Sequence, residues 1–281
     1  MANFDQAEGL RRMLAGSRTR IYTFLSATTG DEKGSVLVNL AASLAQAGSD
    51  VLVLDACTAS QGVASRLDAT GATLQQVAAQ ERALDEVVQE RPEGFGLAAL
   101  VRGTQRAALR EEDQVRRMSN VFDMVAAQAD VVMVDAELDG DDMFPLPALA
   151  SGEVVVQVSP NPESITTAYS LIKRLNSQLG RRPCGVLVTG ASSEKEAQMV
   201  YQNMAQAANR YLAVKLNSMG SVPADEHLKR AARLGRSVLD AFPLAGASVA
   251  FRRLAEKFAP SVAPVGEFEG ISAASGVSLG F

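Results

Sequence analysis

The chain has 281 residues, 47% of them hydrophobic and 21% charged, with a net charge of −5. That balance suits one large α/β domain or two small ones with a sizeable core. It excludes a global basic field for holding nucleic acid, and no apolar run approaches the roughly 20 residues of a membrane span.

Residues 1–18, MANFDQAEGLRRMLAGSR, form a separate piece. Phe4, Ala7, Leu10 and Leu14 repeat at helical spacing, and Gly16 offers a stop. One helix this short is marginal alone in water, so it is either docked on the body or waiting for a partner. From Ile21 onward, short apolar runs alternate with longer helical ones. The predicted strands are Ile21–Ala27, Val51–Leu54, Leu97–Val101, Val131–Val134, Val154–Val158, Gly185–Thr189 and Leu212–Leu216. Their near-continuous Val and Leu predict burial on both faces, hence an α/β fold: a mostly parallel twisted sheet covered by helices on both faces. The predicted helices are Ser35–Ala47, Thr73–Val88, Glu111–Gln128, Pro162–Gln178, Glu194–Asn209, His227–Leu239 and Ala247–Phe258. After Pro260 the sequence turns rich in Gly, Ser, Ala and Pro, which reads as a loose tail. The organisation is thus a helical arm (1–18), a body (19–259) and a tail (260–281).

Two cysteines, Cys57 and Cys184, are too few for a disulfide framework, and both sit in or beside apolar runs. They read as buried reduced thiols in a cytoplasmic protein. The lone histidine, His227, opens a helix and reads as a surface residue. With no Cys/His spacing, no structural metal site is expected. Aromatics are few (5%, no Trp), which argues against a base-stacking surface.

The chemistry concentrates between Arg20 and Ala45. An apolar strand meets a polar loop holding Gly30, Lys33 and Gly34, and a helical pattern begins near Ser35. Strand, glycine loop, helix is the setting in which a loop can wrap phosphates on backbone N–H groups at a positive helix end. The complete motif G-x-x-x-x-G-K-[ST] is not present, because Glu32 precedes Lys33 and Gly34 follows it. Asp55 follows VLVL and Asp135 follows VVMV, at the ends of two other strands. Carboxylates so placed orient a water or hold Mg²⁺ near phosphates, although an Asp ending a strand also simply caps a turn.

These residues resemble the MinD/ParA family of deviant P-loop ATPases, and within it the FlhG group (also called FleN or YlxH) of flagellar number and placement regulators. Asn39-Leu40-Ala41 matches the NLA that follows the family's KGGxGKTT loop and sets the register. Val51–Asp55 matches the strand bearing the first Asp of the second nucleotide motif. SPNPESITTAYSLIK (159–173) is similar to the family's TPEPTSITDAYALIK, and SSEKEA (192–197) and GSVPADEHLKRA (220–231) continue the match. Asp5-Gln6-Ala7-Glu8-Gly9-Leu10-Arg11 reads as the DQAxxLR element of FlhG-like arms.

The resemblance implies that Asp5, Gln6, Ala7, Leu10 and Arg11 act on an FlhF-like signal-recognition-type GTPase and stimulate its GTP hydrolysis. Gln is a neutral donor and acceptor suited to orienting an attacking water, and the apolar stripe suits a groove. It further implies ATP or ADP with Mg²⁺ as cofactor, held at Gly30, Lys33, Gly34, Ser35, Asp55, Asp135 and Pro223. The metal would fall to Ser35, Asp55 and Asp135, and no residue stands out as catalytic. Flagellar switch proteins, a flagellar transcription regulator and a second copy of the chain are further implied partners. So is recruitment to the cell pole or the inner membrane face.

Several family positions are changed. Thr28 replaces the Lys that reaches across the ATP-bound dimer. Glu32 replaces a Gly needed for close backbone approach and adds a negative charge beside a triphosphate, Gly34 replaces the Mg²⁺-binding hydroxyl, and Cys57 replaces the second Asp of the D-x-D pair. Ala136 to Asp139 lacks the family's Thr and Gly, and Thr189 stands where many relatives use Asn to read adenine. Loss of one preorganised group commonly costs on the order of 10²–10³ in rate, so the sequence predicts little or no ATP hydrolysis and weak or lost nucleotide binding. The alternative is a working ATP-dependent dimeric switch that positions flagella or other cargo at the membrane. In the last helical pattern Phe251, Leu254 and Phe258 share one face, which reads as the closing core helix. A lipid-binding face is the second choice, so any membrane contact is expected to be transient.

Overall fold

The computed structural model describes residues 19–58, 62–102 and 111–260. The arm and the tail identified above lie outside them, as do the motif residues Asp5, Gln6, Ala7, Leu10 and Arg11. The chain runs β1 (Arg20–Ser26), α1 (Gly30–Gln46), β2 (Val51–Asp55), α2 (Val63–Arg66) and α3 (Leu74–Ala78). It continues through β3 (Gln89–Glu90), β4 (Gly96–Ala99), α4 (Glu112–Ala126), β5 (Val131–Asp135), β6 (Glu153–Val158) and α5 (Pro162–Leu179). It closes with β7 (Cys184–Ala191), α6 (Glu194–Leu212), β8 (Leu216–Pro223), α7 (Glu226–Arg233), α8 (Val238–Ala241) and α9 (Gly246–Phe258).

Eight strands make one sheet in the order β3-β4-β2-β5-β1-β6-β7-β8, parallel throughout except for the short β3. Every residue of β2 and β5 is buried, as expected of parallel strands covered on both faces. Successive side chains of a strand point to opposite faces, and this divides the core in two. Leu25, Leu52, Leu54, Val132 and Val134 pack with α4, α5 and α6 on one side. Tyr22, Phe24, Val53, Val131 and Met133 pack with α1 and α9 on the other. Phe258 of α9 is fully buried against Tyr22 and Phe24, with ring centroids 4.6 and 5.9 Å away. Burying a Phe side chain contributes about 1.5–3 kcal/mol, so α9 is a core helix, as its apolar face predicts.

Three predicted elements are corrected. The helix expected over Thr73–Val88 is helical only from Leu74 to Ala78. Gln80 turns left-handed (φ 62°), and the chain continues into a 3₁₀ turn at Leu84–Glu86 and then β3. The helix expected over His227–Leu239 is divided into α7 and α8, because Gly235 (φ 63°) ends the first with a left-handed residue. The strand expected over Leu212–Leu216 is misplaced. Leu212 ends α6, Ala213 turns left-handed (φ 52°), and β8 begins at Leu216 and runs on through Asn217-Ser218 to Pro223.

Candidate nucleotide site

The carboxyl ends of β1, β2 and β5 lie side by side, with Phe24 in register with Asp135 and Asp55 in register with Asp135. In open α/β sheets ligands bind beyond these ends. The chain leaves β1 at Ser26, and Thr28 folds back so that its N–H donates to Ser26 Oγ at 3.0 Å. Thr29 is the N-cap of α1, and a capping box forms: Glu32 N–H donates to Thr29 Oγ1 and Thr29 N–H donates to the Glu32 carboxylate. Lys33 N–H donates to Thr29 O at 3.0 Å. The backbone is therefore helical from Gly30, five residues earlier than the sequence predicts. Glu32, read from the sequence as an intruding charge, makes that early start favourable because its carboxylate takes an N–H that the helix end leaves unpaired.

Lys33 points inward. Its Nζ lies 2.5 Å from Asp135 Oδ1 and donates to Ala136 O at 3.0 Å, with Cys57 Sγ 3.7 Å away. Burial alone would lower the ammonium's affinity for its proton, but Asp135 and then Cys57 outweigh it and hold the lysine above its ordinary range. Asp55 accepts from Cys57 N–H (3.0 Å) and Ala64 N–H (2.9 Å), and Asp135 accepts from Val63 N–H at 2.7 Å. Burial, reinforced by the neighbouring Asp135, pushes the Asp55 carboxyl up to about 6. Cys57 is buried, 3.5 Å from Asp135 Oδ1, and its thiol is raised by burial and by that carboxylate. Cys184 is buried too, so both cysteines are free, buried thiols as the sequence predicts. Ligand atoms of Asp55, Cys57 and Asp135 all lie within 4.8 Å of one another, and Lys33 stands at that cluster as its cation.

The structure thus brings Gly30, Lys33, Gly34, Asp55 and Asp135 to one corner. Ser35 is one step along α1, where its Oγ lies 3.5 Å from Asn39 Nδ2. Asn39 itself accepts from Val238 N–H at 2.7 Å, so the residue used to set the register ties α1 to α8. Pro223 stands apart, at the end of β8, three strands from β1. Thr189 Oγ1 is taken by Gln157 Nε2 at 3.1 Å. His227 is half-buried, tilted against the Phe242 ring with centroids 4.7 Å apart, and bonded to Asp225, so it is less exposed than the sequence suggests.

Three contributors escape the sequence. Gly62 passes so close to Asp55 that an added Cβ would lie 2.0 Å from Oδ1. Glu137 accepts from Thr58 N–H at 2.6 Å, which joins the loop after β2 to the loop after β5. Arg66 lies across the first turn of α1, pairing with Asp31, where a Cβ on Gly30 would meet Arg66 Nη2 at 2.4 Å. No local pattern marks Arg66; only the fold places it there.

A mostly parallel eight-stranded sheet with a glycine-lysine segment following its first strand defines a P-loop NTPase fold. Residues 22–238 match the CobQ/CobB/MinD/ParA nucleotide binding domain. The chain is 33% identical over 229 residues to the antiactivator FleN of Pseudomonas aeruginosa, covering 81% of this chain and 82% of that protein. Among solved structures, it is similar to a ParA family ATPase from Chlorobium tepidum (TM-score 0.64, 20% identity, 85% of this chain and 98% of that one). It is also similar to the septum site-determining protein MinD of Pyrococcus horikoshii complexed with Mg-ADP (TM-score 0.64, 17% identity, 85% and 96%). The chain belongs to the CobQ/CobB/MinD/ParA family of nucleotide-binding domains, in its FleN (FlhG) group. Among the described residues, no helix is long and apolar enough to cross a membrane.

Proposed function

We propose that the chain is an FlhG-like regulator of flagellar number or placement whose body is a scaffold with little or no ATP turnover. Its arm, through Asp5, Gln6, Ala7, Leu10 and Arg11, binds an FlhF-like GTPase and stimulates it, with Gln6 orienting the attacking water. The 33% identity to FleN supports the flagellar assignment. The observation that carries the scaffold reading is the closed first turn of α1. The N–H groups of Glu32 and Lys33 are already bonded to Thr29, and the Lys33 ammonium is already paired with Asp135. Gly34 offers no hydroxyl to a metal, and Glu32 opposes a β/γ-phosphate by like charge. The residues present therefore do not fit Mg-ATP in this arrangement. Titration with labelled ATP and Mg²⁺ should give no saturable binding at millimolar nucleotide. The purified partner GTPase should run faster with the full chain, and the gain should vanish on Gln6→Ala or deletion of residues 1–18. Undiminished stimulation by the deletion rejects the arm.

One observation favours the second reading, an ATP-dependent dimeric switch: Lys33, Asp55 and Asp135 are all retained and converge. Opening of the first turn would free them for a nucleotide, and saturable Mg-ATP binding with dimerisation would establish it.

A further inference from the structure

β8 is last in the sheet order, so among the described residues its outer edge has no neighbouring strand. α6 and α9 stand on either side and leave a cleft of about 380 Å³ along that edge. Its floor is formed by Ser218, Met219, Gly220, Ser221 and Pro223, and its walls carry Tyr201 from α6 and the exposed Val249 from α9. The first half of the strand is guarded. Val186 pairs with Ser218 but Leu187 pairs with Gly220, so Met219 is a bulge and Gly220 sits at φ 117°. The Lys257 ammonium also donates to Ser218 O, so the outward backbone of this strand attracts a donor. Bulges and lysines are common protections of a sheet edge. Neither covers the stretch from Ser221 to the Pro223 carbonyl, although Pro223 carries no N–H and a second register shift falls opposite it, between Thr189 and Ala191 of β7.

We propose that this cleft receives an extended acidic segment of a partner protein, laid along β8 as an added strand. Backbone hydrogen bonds to the open edge would supply affinity, and alternate side chains of the segment would face the two walls. Charge sets the choice of occupant. Arg253 and Lys257 line the cleft against one carboxylate, Glu194, in a chain whose net charge is −5. A second copy of the chain, paired edge to edge, would bring the same cations together. A segment of alternating apolar and acidic residues meets the α6 wall with one set and the two cations with the other.

The test uses the full chain and a fluorescein-labelled peptide, Thr-Val-Glu-Val-Glu-Val-Thr, with a Lys-for-Glu peptide as control, read by anisotropy. The acidic peptide should bind at least about tenfold more tightly, weaken with added salt, and lose that preference in the Arg253→Glu/Lys257→Glu variant. Amide hydrogen exchange should slow at residues 218–222 on binding. Val249→Glu, an exposed position checked for folding by circular dichroism, should also weaken it. Equal binding of both peptides, or protection elsewhere, overturns the proposal. A gain in affinity on deleting residues 261–281 would identify the chain's own tail as occupant, and self-association lost on charge reversal would identify a second copy. Either result overturns the partner assignment.

Discussion

At the carboxyl ends of β1, β2 and β5, Lys33, Asp55, Asp135 and Glu137 bond to one another or to nearby backbone N–H and C=O groups. Along β8 the reverse holds: the strand's outer backbone faces a cleft, and Lys257 reaches it from the surface. Both regions belong to one sheet. The difference lies in where hydrogen-bonding capacity is directed. Buried polar groups left unpaired are costly, and those of this corner are paired within the protein. An edge open to water carries no such cost and stays available to another chain. At the first region the polar groups bond internally, whereas at the second the strand edge faces a cleft.

The comparison can be broken most forcefully at Lys33. Lys33→Met removes the cation from two adjacent buried carboxylates and should destabilise the fold by about 3–5 kcal/mol in urea denaturation at pH 7. A loss below about 1 kcal/mol would mean that the corner is wet and the seal is illusory. Asp55 comes next. Its carboxyl titrates at about 6 folded against 3.8 for the free group, so the folded state holds the extra proton between those values. Its contribution to stability is complete below the lower value and falls by roughly 3 kcal/mol as pH rises through the upper one. Asp55→Asn should flatten the stability profile between pH 4 and 7, and an unchanged slope would assign that dependence to other groups. Gly62→Ala should cost about 1–3 kcal/mol, because its Cβ must displace the Asp55 carboxylate, and the thermal midpoint would report it. Thr29→Ala should cost about 1 kcal/mol through the lost cap. At the open edge, Arg253→Ala should change stability by less than about 0.5 kcal/mol, the smallest effect and the contrast that sharpens the rest.

Apolar periodicity made most of the sheet and its covering helices legible, since β2 and β5 are continuous Val, Leu and Met ending in Asp. It located β8 poorly because Asn217, Ser218 and Gly220 sit on a half-exposed edge where burial demands little of side chains. It extended α7 into α8 because His227 to Leu239 keeps a helical spacing across Gly235, whose left-handed turn leaves that spacing unbroken. At the corner, Lys33, Asp55 and Asp135 were legible as a group because strands of a parallel sheet end together. What they bond to was not. The inward turn of Lys33 and the position of Arg66 depend on tertiary placement that no local pattern encodes. Glu32 was read for its charge, whereas its hydrogen bond to Thr29 decides where α1 begins.

The stacking of Phe258 on Phe24, together with Arg20 Nη1 donating to Ala259 O at 2.8 Å, fastens the last helix to the first strand. Residues 19 and 260 consequently leave the body as neighbours, at the amino end of β1. Seven residues at about 3.3 Å each put roughly 20 Å between that shared doorway and the sealed corner. A short tether joining residue 19 to residue 260 should close the body into a ring without disturbing the fold.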